Sequence, residues 1–178
     1  MTTNIHFELL SLAIQAQLNC DTAPPVCMVG MAARGKNKGG VELAAKLLEM
    51  NYVYCPLPRN DPSELNGYPY ICKETSSMRF FPPHWALQVR DNFIVFFDEA
   101  SDATRMTQAA MHGVLTDGAI GEISIKGAPM VMAMNPSNVA TTGGTVSHPF
   151  RTRTFVIDWS PDKHDWLRQI RQGSWDTP

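Results

Sequence analysis

The chain has 178 residues, 44% hydrophobic and 18% charged, which suits one packed domain over residues 1–178 and argues against a disordered tail. Its 15 basic and 17 acidic residues leave a formal charge of −2, without the basic surplus a constitutive nucleic-acid binder uses against phosphates. No apolar run approaches the ~20 residues that span a bilayer, and Met1-Thr2-Thr3-Asn4 lacks the basic-then-apolar order of a signal peptide. Cys20, Cys27, Cys55 and Cys72 form no CxxC pair and have no histidine at metal-finger spacing, so they read as reduced thiols of a cytoplasmic protein.

In chain order, Ile5 to Leu18 places Ile5, Leu9, Leu10, Leu12, Ala13 and Ala16 at helical spacing. Pro24-Pro25 breaks that pattern. Val26-Cys27-Met28-Val29 is a short apolar run of the kind found in a strand buried on both faces. A loop from Gly30 to Gly35 follows, then a helix from Val41 to Met50 with Leu43, Ala44, Leu47 and Leu48 expected inward. Tyr52 to Leu57 predicts the next strand, and Asp61-Pro62-Ser63-Glu64-Leu65 predicts the start of a short helix, with Asp61 as N-cap and Pro62 at the first helical position. The turn-rich stretch from Gly67 to Pro83 predicts no single element.

Phe93 to Phe97 is the strongest buried-strand signal, and Thr104 to Leu115 has helical spacing. Ala119 to Ile125 alternates apolar and polar residues between Gly118 and Gly127, which predicts a hairpin. Met130 to Met134 and Phe155 to Trp159 predict two further strands, and Lys163 to Gln172 a last helix. Strands alternating with helices predict an α/β fold with a mostly parallel sheet flanked by helices.

Four groups of residues carry chemistry. Gly30-Met31-Ala32-Ala33-Arg34-Gly35-Lys36 fits the first seven positions of G-x-x-x-x-G-K-[ST], and it lies between a buried strand and a helix. Glycines let backbone N–H groups approach phosphate oxygens, the helix start adds positive charge, and the lysine reaches the β- and γ-phosphates. Gly30, Ala33, Arg34, Gly35, Lys36, Asn37 and Lys38 are therefore the candidate nucleotide-binding residues. Asn37 stands where a hydroxyl would ligate Mg²⁺; its amide oxygen is also a hard-cation ligand, with different reach.

Asp98-Glu99 follows an apolar strand, at the carboxyl edge where ligands of such sheets collect. Asp98 is the candidate metal carboxylate, with Asn37. Glu99 is placed to polarise an attacking water. Asn135, at the tip of Met130–Met134, either senses a γ-phosphate and its water or simply begins an Asn-Pro turn. Arg153, in Arg151-Thr152-Arg153, is either solvated or presented to a neighbouring subunit's nucleotide.

The order of these elements, with Ala133-Met134-Asn135-Pro136, Gly143-Gly144 and Arg153 to Trp159, resembles the MoxR-like, dynein-related branch of AAA+ P-loop ATPases from about Pro25 to Trp166. Asp61 to Gly67, Phe81 to Trp85 and Gly118 to Glu122 are similar to that branch too. They correspond to an insert after the second strand, its return, and the hairpin before the sensor strand. The resemblance implies ATP and Mg²⁺ as ligands, Asn135 as first sensor and Arg153 as arginine finger. It also implies a ring, usually a homo-hexamer, that remodels a protein partner. Asn37 and the interior Met31-Ala32-Ala33-Arg34 depart from the family loop, and the family's helical lid is expected to be missing or supplied elsewhere.

Two functions follow as expectations: a Mg-dependent ATPase that remodels or assembles a partner, or a nucleotide-binding or degenerate subunit that assembles without turnover. His84, His112, His148 and His164 share no ligand spacing, so a metal hydrolase built on them has no support.

Overall fold

The computed structural model describes residues 5–136 and 152–162. The predicted helix over Lys163 to Gln172 lies outside the described residues, as do Gly143-Gly144, His148, Arg151 and His164. Five strands form the main sheet: β1 (Val26–Val29), β2 (Asn51–Pro56), β5 (Phe93–Asp98), β8 (Met130–Met134) and β9 (Phe155–Asp158). Their order is β2-β5-β8-β1-β9, and every pairing is parallel. Parallel pairing brings all five carboxyl ends to one edge, and there β1 lies beside β8 with Val29 opposite Met134.

Apolar residues on both faces of the strands bury the sheet in two layers, as continuous apolar runs require. Val26, Met28, Ile94, Phe96, Val131 and Ala133 face one core, which is closed by Phe7, Leu10 and Ile14 of α1 (Ile5–Asn19) and by Val41, Ala44 and Ala45. Cys27, Val95, Phe97, Met132 and Met134 face the other, closed by Ala110, Met111, Val114 and Leu115 of α4 (Arg105–Asp117). Thr104 caps α4 by accepting a hydrogen bond from the Thr107 N–H, and Gly118 ends it in the left-handed conformation.

Two expectations are corrected, and the stretch for which no single element is predicted holds two strands. Helix α1 is apolar nearly all round, so spacing alone misassigns its face. Phe7, Leu10, Ile14 and Gln17 are buried, while Ile5 and Leu12 are more than 60% exposed. The predicted helix at Val41 begins earlier: a π-helical segment, Lys36–Glu42, runs into α2 (Leu43–Leu47). Ala45 turns inward there, and Leu47 is exposed. The stretch after Gly67 contains an antiparallel hairpin, β3 (Tyr68–Cys72) with β4 (Ser77–Phe81), preceded by α3 (Ser63–Asn66). Both hairpin strands are almost wholly exposed, so they lack the one-sided apolar alternation that marks a half-buried strand. The predicted hairpin at Ala119 is present as β6 (Ala119–Ile120) and β7 (Ile123–Ser124).

Trp159, buried after β9, dictates two glycines. A Cβ on Gly30 would sit 2.2 Å from the Trp159 carbonyl oxygen, and one on Gly40 would press the indole ring at 3.2 Å. Gly40, the second of the Gly39-Gly40 pair that weakens a regular helix, lets the π-helical segment lie against that ring. Gly30→Ala is therefore expected to destabilise the fold by roughly 1–3 kcal/mol, because backbone must yield. Gly113→Ala, inside α4 where an added Cβ meets nothing within 4 Å, should stabilise it by about 0.5–1 kcal/mol. Urea midpoints for the two variants check both signs.

Candidate nucleotide site

The loop after β1 leaves the sheet at Gly30, whose N–H donates to the Met134 carbonyl of β8 at 3.1 Å. Gly35 adopts a left-handed conformation (φ 72°) and starts the π-helical segment with Lys36 as its first residue. Ala33 is also left-handed (φ 58°), where a side chain costs energy that glycine avoids. The Trp159 indole N–H donates to the Arg34 carbonyl at 3.0 Å and ties the loop to the end of β9.

Lys36 turns back into the loop. Its Nζ donates to the carbonyls of Gly30 (2.6 Å) and Met31 (3.0 Å) and to Asn135 Oδ1 (3.3 Å). Burial lowers the Lys36 pKa, and Asp98, Glu99 and Asp102 act against that shift.

Asp98 is the last residue of β5. Its Oδ1 accepts the Glu99 N–H at 2.9 Å, and its Oδ2 accepts the Tyr54 hydroxyl of β2 at 3.2 Å. Glu99 itself is left-handed (φ 56°), an outlier for a residue with a side chain and of the kind concentrated at functional sites. The turn beyond it reaches back to β8: the Ala100 N–H donates to the Ala133 carbonyl at 3.0 Å. Asn135 is held by the same turn. Its N–H donates to Ser101 Oγ and its Nδ2 to Asp102 Oδ2, each at 3.0 Å.

These groups converge on one cleft of about 430 Å³, lined by residues 32–38, Asp98, Glu99 and residues 133–135. Ala33, Arg34, Gly35, Lys36, Asn37 and Lys38 thus share a cavity with both acids and Asn135. Gly30 stands behind them, on the wall of a second cleft with Met31, Arg34 and Trp159. Arg153 is not brought into the site of its own chain. It is exposed, and its guanidinium meets His112 Nε2 on α4.

The donor set suits a hard cation. Asn37 Oδ1 is buried without a hydrogen-bond partner, and the carboxylate of Asp98 lies on the same cleft. Among the described residues no cluster of three His, Cys, Asp or Glu side chains could hold a metal by itself.

Tyr54, Asp102 and Trp159 escape the motif reading. Tyr54 lies on β2, Asp102 follows the acids in an ordinary turn, and Trp159 reads as one more residue of an apolar strand. Only the Gly39-Gly40 pair hints that something large packs there.

No protein-family model matches the sequence, and no curated protein sequence matches it. Solved structures do. A proposed ATPase from Cytophaga hutchinsonii superposes with a TM-score of 0.64 at 16% identity, over 96% of this chain and 51% of that one. A lysine-to-arginine variant of Thermotoga maritima RuvB gives 0.61 at 16% identity, over 95% of this chain and 49% of that one. A proline-to-glycine variant of the same protein gives 0.61 at 17%, over 93% and 48%. The chain shares with these AAA+ ATPases the fold of their core, a mostly parallel five-stranded sheet flanked by helices. This chain spans about half the length of those proteins, and at such identity the likeness is one of fold. No helix among the described residues is long and apolar enough to cross a membrane.

Burial and then the neighbouring Asp98 push the Tyr54 phenol up to about 12. Because the folded value lies above the unfolded one, the associated stability is complete below about pH 10 and is lost as pH rises through the folded value. At about pH 10.5 an ordinary tyrosine is largely ionised. There the phenolate absorbance of the wild type should match that of Tyr54→Phe. Asp98→Asn should raise it, though only partly, since burial is the larger cause.

Proposed function

We propose that the chain binds Mg-ATP in this cleft and hydrolyses it, as a member of the MoxR-like branch of AAA+ proteins. The observation that carries the reading is the meeting of Lys36, Asp98, Glu99 and Asn135 at the carboxyl ends of β1, β5 and β8. Backbone N–H groups of residues 33–38 and the Lys36 ammonium hold the phosphates. Asn37 Oδ1 and Asp98 would hold Mg²⁺, whose part is to neutralise phosphate charge. Glu99 polarises the attacking water, and Asn135 orients that water or the γ-phosphate.

Arg153 is exposed and outside its own cleft, which suits a residue offered to the nucleotide of a second copy in a ring. Turnover in such an assembly would drive the remodelling of a protein partner. The 178 residues act in this reading as one nucleotide-binding domain. A second reading, a nucleotide-binding or degenerate structural subunit without turnover, is favoured by Asn37 in place of a hydroxyl.

Calorimetry and phosphate release separate the two. Lys36→Ala should weaken ATP binding on the order of 100-fold, from the loss of charge-assisted hydrogen bonds. Glu99→Gln should keep that affinity and slow phosphate release by about 100-fold or more. A wild type that binds no ATP would remove the first reading and leave a degenerate structural subunit; tight binding with phosphate release indifferent to Glu99→Gln would also leave the second. ATP-dependent assembly, lost in Lys36→Ala and read by light scattering, tests the ring.

A further inference from the structure

An ammonium has three N–H donors, and those of Lys36 have three protein acceptors: Gly30 O, Met31 O and Asn135 Oδ1. A phosphate that takes this ammonium must replace at least one of them. The Asn135 bond is the longest of the three and the one made by a side chain, so it is the one most easily exchanged. What keeps Asn135 in place is the turn after Glu99. Ser101 Oγ fixes its backbone, and Asp102 Oδ2 accepts from its amide nitrogen.

The amide's orientation follows from chemistry. Lys36 can only donate, so it needs the amide oxygen, and the Asp102 carboxylate can only accept, so it needs the amide nitrogen. The opposite rotation would leave two donors facing each other and two acceptors facing each other. Asp102 therefore determines which end of Asn135 faces Lys36. Through Asn135 it sets the resting position of the lysine.

We propose that Asp102 is a positioning residue forming a latch, Asp102–Asn135–Lys36, that competes with phosphate for the lysine. The inference rests on the nucleotide reading of the cleft. Binding then selects the fraction of molecules whose lysine is released, so the measured affinity is lower than the intrinsic one by that fraction. The latch also joins the two acids to Asn135 through one turn, since Asp102 donates its own N–H to the Glu99 carbonyl at 2.9 Å.

The test is ADP binding by calorimetry without divalent cation, which removes turnover, metal and γ-phosphate from the measurement. Asp102→Ala frees the amide and should tighten ADP about three- to tenfold, the effect of about one hydrogen bond. Asp102→Asn removes the charge but keeps an amide oxygen to accept from Asn135, so it should bind like the wild type. Asn135→Ala removes the acceptor while keeping the Asp102 charge, and should tighten ADP as Asp102→Ala does; it carries the test if Asp102→Ala does not fold. ADP binding unchanged or weakened in both alanine variants would overturn the latch. So would Asp102→Asn as tight as Asp102→Ala, since charge alone would then explain the gain. A wild type that binds no ADP would instead overturn the nucleotide reading itself, and the latch with it.

Discussion

Parallel pairing of β1 with β8, with Val29 opposite Met134, is the constraint on which the site depends. It sends Gly30 and Asn135 out of the same edge side by side, so that Lys36, six residues along the loop, returns to both. A one-residue slip would reverse every side chain of β1 between the two cores. Cys27 would then point among Phe7, Leu10 and Ile14, and Met28 would leave the pocket that Val41 and Ala44 close. Both layers thus hold the register that the site requires. The pairing of β8 with β5 adds the acids, because Phe97 lies opposite Met132 and Asp98 follows at the level of Ala133.

Even a half-buried ammonium such as that of Lys36 loses hydration that hydrogen bonds and opposite charge must replace. Lys36 is given two backbone carbonyls by its own loop, while Asp98, Glu99 and Asp102 supply negative charge around it. The left-handed conformations of Ala33 and Glu99 belong to the same arrangement. Each costs on the order of 1 kcal/mol for a residue with a Cβ, and each lies where the chain must turn sharply to bring polar groups to the cleft. Among the described residues Glu49 and Ser76 share that conformation in turns elsewhere, so two of the four such residues lie at the cleft.

Away from the cleft, close backbone approach and hydrogen bonds both join the two hairpins. A Cβ on Gly67 would come within 3.0 Å of Gly121 Cα, so close approach of the two turns requires glycine. At the same junction Arg79 donates to both carboxylate oxygens of Glu122, which also accepts the Phe80 N–H at 3.2 Å; the pair is solvent-exposed, but its two-pronged geometry fixes how the hairpins meet. Tyr68, Ile71, Met78 and Phe81 remain exposed on β3 and β4.

The three central strands were legible in the sequence because burial on both faces writes a local signal, an unbroken apolar run such as Val26–Val29 or Met130–Met134. The same was true of the loop that carries Lys36 and of the acids at the end of Phe93–Phe97, since those patterns are continuous along the chain. The buried face of α1 was not, because its apolar residues surround the helix, and neither was the hairpin from Tyr68, which has no buried side to alternate against. What only the tertiary structure decided is the set of partners: Tyr54 for Asp98, Asp102 for Asn135, and Trp159 for Arg34 and Gly30. These contacts join residues 44, 33 and 125 positions apart for the three hydrogen bonds. No local pattern encodes such pairs; they exist because parallel strands distant in the chain end at one edge of one sheet.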